Sequence, residues 1–358
     1  MVAGWPCVAT VEIRQKEIYF TMENVTQDTN PDPVITILGC GVNGLSSGIL
    51  LLEEGYKVKI WAKDLPPHTT SNIAAAVWYP YKVAPEAKVA DWGERSYEIF
   101  CELASIPETG IRILPGVELF REPTPDPVWS SYVRNYRHAQ PEELPAGYHD
   151  GYFFDSPVID TGIYMGYLVN RFQQLGGEII RREIGSLSEA FEESHLVVNC
   201  TGLGARSLLG DKEVYPIRGQ IIRVSRTALK DFFVSADNYG TANYIIPRSN
   251  DCILGGTAEA GEWSLEPDAA TAKKIWEVCS QLVPEVAQTQ VLEHLVGLRP
   301  ARKEVRLEAE VLPDAKVVIH NYGHGGAGVT ISWGCAEQVL SLVKVFSPKE
   351  LTLGQGKV

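Results

Sequence analysis

Three glycines, Gly39, Gly41 and Gly44, follow a short apolar run in the spacing GxGxxG. In this pattern the first glycine turns the chain, the second lets a pyrophosphate approach the backbone, and the third lets the next helix pack on a sheet. The helix N-terminus then attracts the phosphate charge. Lys63 and Asp64, about twenty residues further on, are candidates for a ribose contact. The spacing predicts a dinucleotide-binding loop. A structural glycine turn, with Asp64 an ordinary loop acid, is the alternative.

A second glycine-rich segment, residues 323–328, precedes an apolar stretch that predicts a helix over 330–346. If its strand joins the same parallel sheet, this helix points its positive N-terminal end at whatever the first loop binds. Close packing is the alternative role for these glycines. His320 and His324 are residue types that bind metals, but neither a cysteine nor a carboxylate cluster accompanies them. We therefore expect no metal site.

Arg299 precedes Pro300, so its backbone is expected to be extended or in a turn. A guanidinium held by such a rigid backbone suits a carboxylate ligand, and a solvated surface charge is the alternative. Tyr244 lies in a strand pattern and is either a second ligand-binding group or a core aromatic. No histidine–carboxylate pair stands out in the sequence, so hydrolytic chemistry is not indicated.

These residues need a sheet to bring them together. Apolar residues at 34–38 and 57–61 predict two strands around a helix at 45–55, which is a βαβ unit. Further buried strands are predicted at 197–200 and 317–320. Alternating segments broken by glycines predict an antiparallel sheet, at residues 220–224, 244–247 and 252–254.

Length and composition limit the classes of function. The chain has 358 residues and 45% hydrophobic residues, which favours a globular protein of about two domains. Its net charge of −13 argues against nucleic acid or an anionic membrane as a partner. The seven cysteines are scattered and form no CxxC pair, and no secretory signal is recognisable, so we expect a cytoplasmic location. The sequence leaves a homodimer open.

Seven segments, in order, resemble the D-amino-acid oxidase family of FAD flavoproteins over about residues 34–346. They are residues 37–46, 69–80, 197–202, 218–220, 244–247, 297–300 and 320–335. The resemblance implies an α/β fold with a Rossmann-like FAD-binding domain, assembled from discontinuous segments, and a substrate domain with a large mixed or antiparallel sheet. It assigns residues 34–80, 155–215 and 295–346 to the FAD-binding domain and 81–154 and 216–294 to the substrate domain. Residues 1–33 are expected to be a poorly ordered extension, with 1–21 dispensable, and 347–358 a tail.

The resemblance also implies roles for single residues. Arg299 and Tyr244 would bind the carboxylate of a D-amino acid, and the Gly326 carbonyl would accept a hydrogen bond from its amino group. The residues expected to bind FAD are Gly39, Gly41, Val42, Asn43, Gly44, Lys63, Asp64, Thr69, Thr70, Ser71, Ala75, Ala76, Val77, Gly202, Arg299, Gly325, Gly326, Ala327, Gly328, Val329 and Thr330.

The chemistry implied is hydride transfer from the substrate Cα to flavin N5. The imino acid then hydrolyses to a 2-oxo acid and ammonia, and O2 reoxidises the flavin to give hydrogen peroxide. No residue need act as a general acid or base, so we expect positioning and electrostatics to carry catalysis.

Departures from the family pattern bear on the substrate. A second active-site tyrosine is replaced by Gly240 or Ala258, with Tyr239 as a neighbouring substitute. The arginines that related D-aspartate oxidases use are replaced by Asp237 and Ala258. With these residues lining the side-chain pocket, neutral D-amino acids are favoured. The alternatives are a D-aspartate oxidase, a glycine- or sarcosine-type amine oxidase, a nicotinamide-dependent dehydrogenase and a catalytically silent FAD-binding protein.

Overall fold

A computed structural model describes residues 34–236 and 242–347. The predicted extension 1–33 and all but the first residue of the tail 347–358 lie outside the described residues. So do Asp237, Tyr239 and Gly240. Predictions that depend on these positions therefore stay predictions.

The first βαβ unit consists of strand β1 (Val34–Leu38), helix α1 (Val42–Glu53) and strand β2 (Lys57–Ala62). The helix begins three residues earlier than the sequence suggested, inside the glycine segment, and ends before Gly55. Gly39 makes the turn with a φ of +107°, and a Cβ there would lie 2.5 Å from the carbonyl oxygen of Cys200. A glycine is therefore required at this turn, because any side chain would strain the backbone and collide.

A parallel layer surrounds this unit. Strands β6 (Glu178–Arg181), β7 (Leu196–Asn199) and β14 (Val317–His324) complete the order β14-β7-β1-β2-β6. All neighbouring pairs in it run parallel. The predicted strand 317–320 continues to His324, so Gly323 belongs to the strand and not to the loop. Helix α8 (Ser332–Phe346) follows, two residues later than predicted, and packs on α1.

The other half of the sheet is mainly antiparallel. Its strands are β3 (Ile111–Phe120), β4 (Arg134–His138), β5 (Asp150–Ile159), β8 (Tyr215–Ser225), β9 (Phe232–Ala236), β10 (Ala242–Pro247), β11 (Asp251–Gly255) and β12 (Glu259–Ala260). The order is β4-β5-β3-β9-β10-β11-β8, with β12 beside β8, and β3 runs parallel to β9. The predicted mixed α/β fold with a large sheet is confirmed.

One long strand joins the two halves. Strand β13 (Val291–Val311) pairs antiparallel with β8 on one side and with β14 on the other. Arg299 and Pro300 lie within it, opposite Ile217 and Pro216 of β8. The site residues of the two halves are thus attached to one continuous sheet.

Helices cover the sheet. The remaining α-helices of the described residues are α2 (Thr70–Ile73), α3 (Glu86–Leu103), α4 (Thr161–Gln174), α5 (Leu187–Phe191), α6 (Ala205–Leu208) and α7 (Ala269–Leu282). Helix α1 packs against α4 and α8, while α7 covers β8, β10 and β11. None of the helices in the described part of the chain is long and apolar enough to cross a membrane.

Candidate active site

The N-terminus of α1 gathers segments that are far apart in the chain. The Val42 N–H donates to Ser71 Oγ at 3.0 Å, and Asn43 Nδ2 donates to the Gly328 carbonyl at 3.2 Å. Thr330 Oγ1 donates to the Tyr79 carbonyl at 2.9 Å and accepts from the Tyr79 N–H at 3.2 Å. Both glycine-rich segments and residues 69–80 therefore meet at one point, where the helix N-terminus favours negative charge.

An elongated cavity of about 550 Å³ leads away from this point. Predicted FAD-binding residues that line it are Gly39, Gly41, Val42, Asn43, Lys63, Asp64, Thr69, Thr70, Ser71 and Gly202. Lys63 also lies 4.0 Å from Glu183, and both side chains are well exposed, so this ion pair contributes little to stability. The cavity has the glycine-rich end that the pyrophosphate of a dinucleotide needs.

A second cavity of about 190 Å³, which we call the central cavity, adjoins the first. Thr70, Ser71, Ile73, Gly297 and Pro300 line both. Other predicted site residues that line the central cavity are Ala75, Ala76, Val77, Tyr244, Arg299, Gly325, Gly326, Gly328, Val329 and Thr330.

Two predicted FAD-binding residues line neither cavity. Gly44 lies inside α1, where a Cβ would collide with the Gly39 carbonyl oxygen. Ala327 is fully buried behind the loop. Both positions allow close packing next to the site, and the structure places neither in contact with the cavity space.

Tyr244 and Arg299 form the polar end of the central cavity. The Arg299 guanidinium lies beside the Tyr244 hydroxyl, and Arg299 Nη1 donates to the Thr257 carbonyl at 2.9 Å. Burial raises the pKa of Tyr244, and the neighbouring guanidinium opposes that rise. The phenol therefore stays a neutral hydrogen-bond donor beside a fixed cation, which suits a carboxylate ligand.

Two glycines that the sequence reasoning did not single out make room for this pair. A Cβ on Gly255 would overlap the Tyr244 ring, and one on Gly219 would overlap the Arg299 guanidinium. Gly255 faces Tyr244 across the β10–β11 pair. Both side chains thus lie flat on the sheet, and their ends point into the cavity, whose other walls include Ile221, Val234 and Ile246.

Comparisons with known proteins show the family to which the chain belongs. A family model described as FAD dependent oxidoreductase matches residues 35–342. A D-amino-acid oxidase of Rubrobacter xylanophilus is 50% identical over 307 residues, covering 86% of this chain and 94% of that protein. One of Dictyostelium discoideum is 42% identical, covering 88% and 93%. The chain belongs to the D-amino-acid oxidase family of FAD-dependent oxidoreductases.

Solved structures that are more distant in sequence share the fold. Glycine oxidase from Geobacillus kaustophilus superposes with a TM-score of 0.72 at 17% identity, covering 89% of this chain and 96% of that one. L-proline dehydrogenase from P. horikoshii gives 0.71 at 14% identity, covering 87% and 93%. At such identities the likeness concerns the fold alone.

The cavity residues fit FAD, the cofactor of the D-amino-acid oxidase family. Asn43 Oδ1 is a buried acceptor and Trp61 Nε1 a buried donor, and neither has a partner among the described residues. Both residues line the elongated cavity. Unpaired buried polar atoms are costly, so this pair indicates a polar ligand that supplies both a donor and an acceptor.

A segment that the sequence reasoning missed forms another wall of the elongated cavity. Trp263 and Leu265 line it although their side chains are 50% and 59% exposed. Buried Arg218 holds this segment by donating to the carbonyls of Ser264 at 3.0 Å and Glu266 at 2.6 Å. The Arg218–Gly219–Gln220 stretch was part of the family resemblance, and the structure now gives it a local role.

Ala258 was expected to line the side-chain pocket of the substrate site. It does not line the central cavity but a separate cavity of about 390 Å³, together with Arg121, Asn243 and Lys274. Its neighbour Thr257 lines both cavities. Gly256, Thr257, Ala258 and Glu259 all line this separate cavity.

The two histidines have other partners. His320 Nε2 lies 3.0 Å from Glu310 Oε2, and His324 Nε2 lies 2.9 Å from Asn321 Oδ1. Burial lowers the pKa of His320, and it lowers the pKa of His324 to about 4. Within residues 34–236 and 242–347, no group of three histidine, cysteine or carboxylate side chains is arranged to hold a metal ion.

Proposed function

We propose that the protein catalyses the oxidative deamination of neutral D-amino acids to 2-oxo acids and ammonia, with O2 reduced to hydrogen peroxide. The observation that carries this proposal is the Arg299–Tyr244 pair at one end of a small cavity that adjoins the dinucleotide cavity. The 50% identical D-amino-acid oxidase supports the same substrate class.

Three polar groups of the central cavity have a role in this proposal. Arg299 binds the substrate carboxylate through its planar pair of donors, and the Tyr244 hydroxyl donates to the same carboxylate. The Gly326 carbonyl accepts a hydrogen bond from the amino group. These contacts hold the carboxylate and the amino group, and the cavity walls hold the side chain; three placed substituents of Cα define which enantiomer presents its hydrogen to the cofactor. When bound, FAD supplies the hydride acceptor for that hydrogen and passes the electrons to O2.

The apolar walls strengthen these contacts. Ile221, Val234 and Ile246 line the central cavity and keep water away from a bound substrate. In such surroundings a charged hydrogen bond is stronger than in water. The chain thus contributes positioning and electrostatics, and no side chain is required to move a proton.

The two cavities also suggest which segments of the chain bind FAD and which bind the substrate. We assign FAD binding to the segments 34–80, 155–215 and 295–346 and the substrate walls mainly to 81–154 and 216–294. Residues from both groups line the central cavity, which supports placing the reaction at their junction. We further propose a cytoplasmic location, on the basis of the scattered, unpaired cysteines of the sequence.

A peroxide-coupled screen tests the proposal. The purified holoprotein is assayed with D- and L-enantiomers of alanine, methionine, phenylalanine and aspartate, and with glycine and sarcosine. We expect the highest kcat/KM for the neutral D-amino acids. Higher values for D-aspartate, or for glycine and sarcosine, would establish one of the alternative oxidases. A yellow protein that produces no peroxide with any of these compounds would overturn the assignment as an oxidase.

A further inference from the structure

A buried carboxyl group lies behind the wall of the central cavity, away from Arg299. Glu118 sits in the middle of β3 and is only 2% exposed. The Tyr79 hydroxyl donates to its Oε1 at 2.6 Å. Its Oε2 is buried and has no hydrogen-bond partner among the described residues. A half-satisfied buried acid is costly, and the mechanism above makes no use of it.

The strand register relates Glu118 to the substrate site. Glu118 pairs with Val234 of β9, and Val234 pairs with Tyr244 of β10. Residues paired across neighbouring strands point to the same face, so Glu118 shares the face that carries Val234 and Tyr244. Two strand spacings separate it from Tyr244, which is about 10 Å.

Arg299 and Glu118 lie on opposite sides of Tyr244 in the sheet. Arg299 is on β13, beyond β11 and β8, whereas Glu118 is on β3, beyond β9. The Tyr79 ring and Val234 line the central cavity between them. A substrate whose carboxylate is bound by Arg299 therefore extends its side chain toward the wall that Tyr79 and Val234 form, with Glu118 behind it.

Few groups near Glu118 can compensate a charge. Tyr152 faces it from β5, and Tyr79 faces it from the segment before α3; both are neutral phenols. No arginine, lysine or histidine within the described residues forms an ion pair with it. Burial raises the pKa of Glu118 to about 7, and the Tyr79 hydrogen bond opposes that rise. Above neutral pH this wall therefore carries an uncompensated negative charge.

We propose that Glu118, held by Tyr79, determines substrate specificity by rejecting D-amino acids whose side chains end in a carboxylate and accepting amides of the same shape. The proposal rests on the function given above. An unpaired anion in an apolar wall repels a second anion strongly, because little water screens the two charges. This proposal also explains the preference for neutral D-amino acids without Ala258, which does not line the central cavity.

The test compares D-glutamine with D-glutamate, which have nearly the same shape, over pH 6–9. The free amino and α-carboxyl groups titrate almost alike in the two substrates, so they cancel in the ratio of kcat/KM values. For the wild-type holoprotein we expect the ratio to rise about tenfold or more with pH, as Glu118 ionises. D-Alanine, whose side chain is too short to reach the wall, is the internal reference.

Glu118→Gln removes the charge and keeps the shape. We expect its D-glutamine to D-glutamate ratio to fall about tenfold at pH 8 and to lose its pH dependence, with D-alanine turnover within about threefold of wild type. Tyr79→Phe removes the hydrogen bond that lowers the Glu118 pKa, so the inflection of the ratio should move to higher pH. Glu122→Gln, an exposed acid just after β3, is the matched control and should behave like wild type.

The outcomes separate this proposal from the function on which it rests. A wild-type ratio that stays constant over pH 6–9 overturns the proposal, even if Glu118→Gln does not fold. A folded Glu118→Gln protein with an unchanged ratio also overturns it. If the wild type oxidises none of the D-amino acids, the proposed function itself has failed.

Discussion

Arg299 lies within strand β13, and its guanidinium reaches both the Tyr244 hydroxyl and the Thr257 carbonyl. Replacing it by alanine leaves a substrate carboxylate buried and unpaired. We expect kcat/KM for D-alanine to fall by a factor of roughly 10² to 10⁴, which is about 3–5 kcal/mol. Arg299→Lys should recover only part of this, because an ammonium lacks the planar pair of donors. The rate of anaerobic flavin reduction by D-alanine measures the effect.

Flavin content distinguishes substrate positioning from a collapse of the site. Both Arg299 variants should keep about the wild-type amount of bound FAD, since the elongated cavity does not include Arg299. Lys303→Ala, an exposed cation on the same strand, is the control and should reduce flavin normally. If Arg299→Ala reduced its flavin at the wild-type rate, Arg299 would not bind the substrate carboxylate and would be an ordinary surface charge.

Glu118 should also leave a signature in stability. Its pKa is about 7 in the folded protein against an ordinary value of 4.5. Below pH 4.5 the carboxyl is protonated in both states and has no effect. As pH rises from 4.5 to 7, the unfolded chain loses the proton first, so the folded protein is destabilised by up to about 3 kcal/mol.

Glu118→Gln cannot ionise, so its free energy of unfolding relative to wild type should rise between pH 5 and pH 8. Urea unfolding of the two holoproteins at both pH values measures this difference. Glu122→Gln should show no such change with pH, because its side chain is exposed in both states. An equal stability difference at pH 5 and pH 8 would contradict the burial of a titrating carboxyl.

At the scale of elements, the segment after β12 is expected to bind the cofactor. Trp263 and Leu265 expose large apolar side chains to the elongated cavity, and Arg218 holds their backbone. Burying half of such a side chain against a ligand contributes about 1–2 kcal/mol. Trp263→Ala should therefore raise the Kd for FAD roughly 5- to 30-fold. Fluorescence titration of the apoprotein with FAD gives the Kd without any substrate.

A matched variant shows whether the effect is local. Leu292→Ala removes a side chain that is 46% exposed on β13 and outside both cavities, and its Kd for FAD should equal that of wild type. Trp263→Ala with an unchanged Kd would mean that the segment only borders the cavity.

The elements also show what a sequence can predict. The βαβ unit followed from local spacing, because its glycines, helix and strands are neighbours in the chain. Arg299 and Tyr244 were candidates from their local patterns, but their shared role came from the family resemblance, because their proximity depends on the order of strands that lie far apart in sequence. Glu118 was missed for the same reason. Ala258 lines a cavity separate from the central one, which its local sequence does not indicate.

At the scale of the whole molecule, β13 makes the fold continuous. It pairs with β8 over most of its first half and with β14 over its second half, so no break separates the antiparallel strands from the parallel ones. The elongated cavity takes residues from the first glycine segment, from the end of β7, from β13 and from β14. A ligand bound there stabilises the folded state of all these elements together.

We therefore expect the holoprotein to unfold in urea as one cooperative unit. Far-ultraviolet circular dichroism reports the sheet and helices, and flavin fluorescence reports release of FAD; their midpoints should coincide. Excess FAD should raise the shared midpoint, since the cofactor binds only the folded chain. Arg299→Ala, which does not border the elongated cavity, should keep the wild-type dependence on FAD. Two separate transitions, with FAD retained through the first, would show that the antiparallel half unfolds independently despite the strand that it shares with the parallel half.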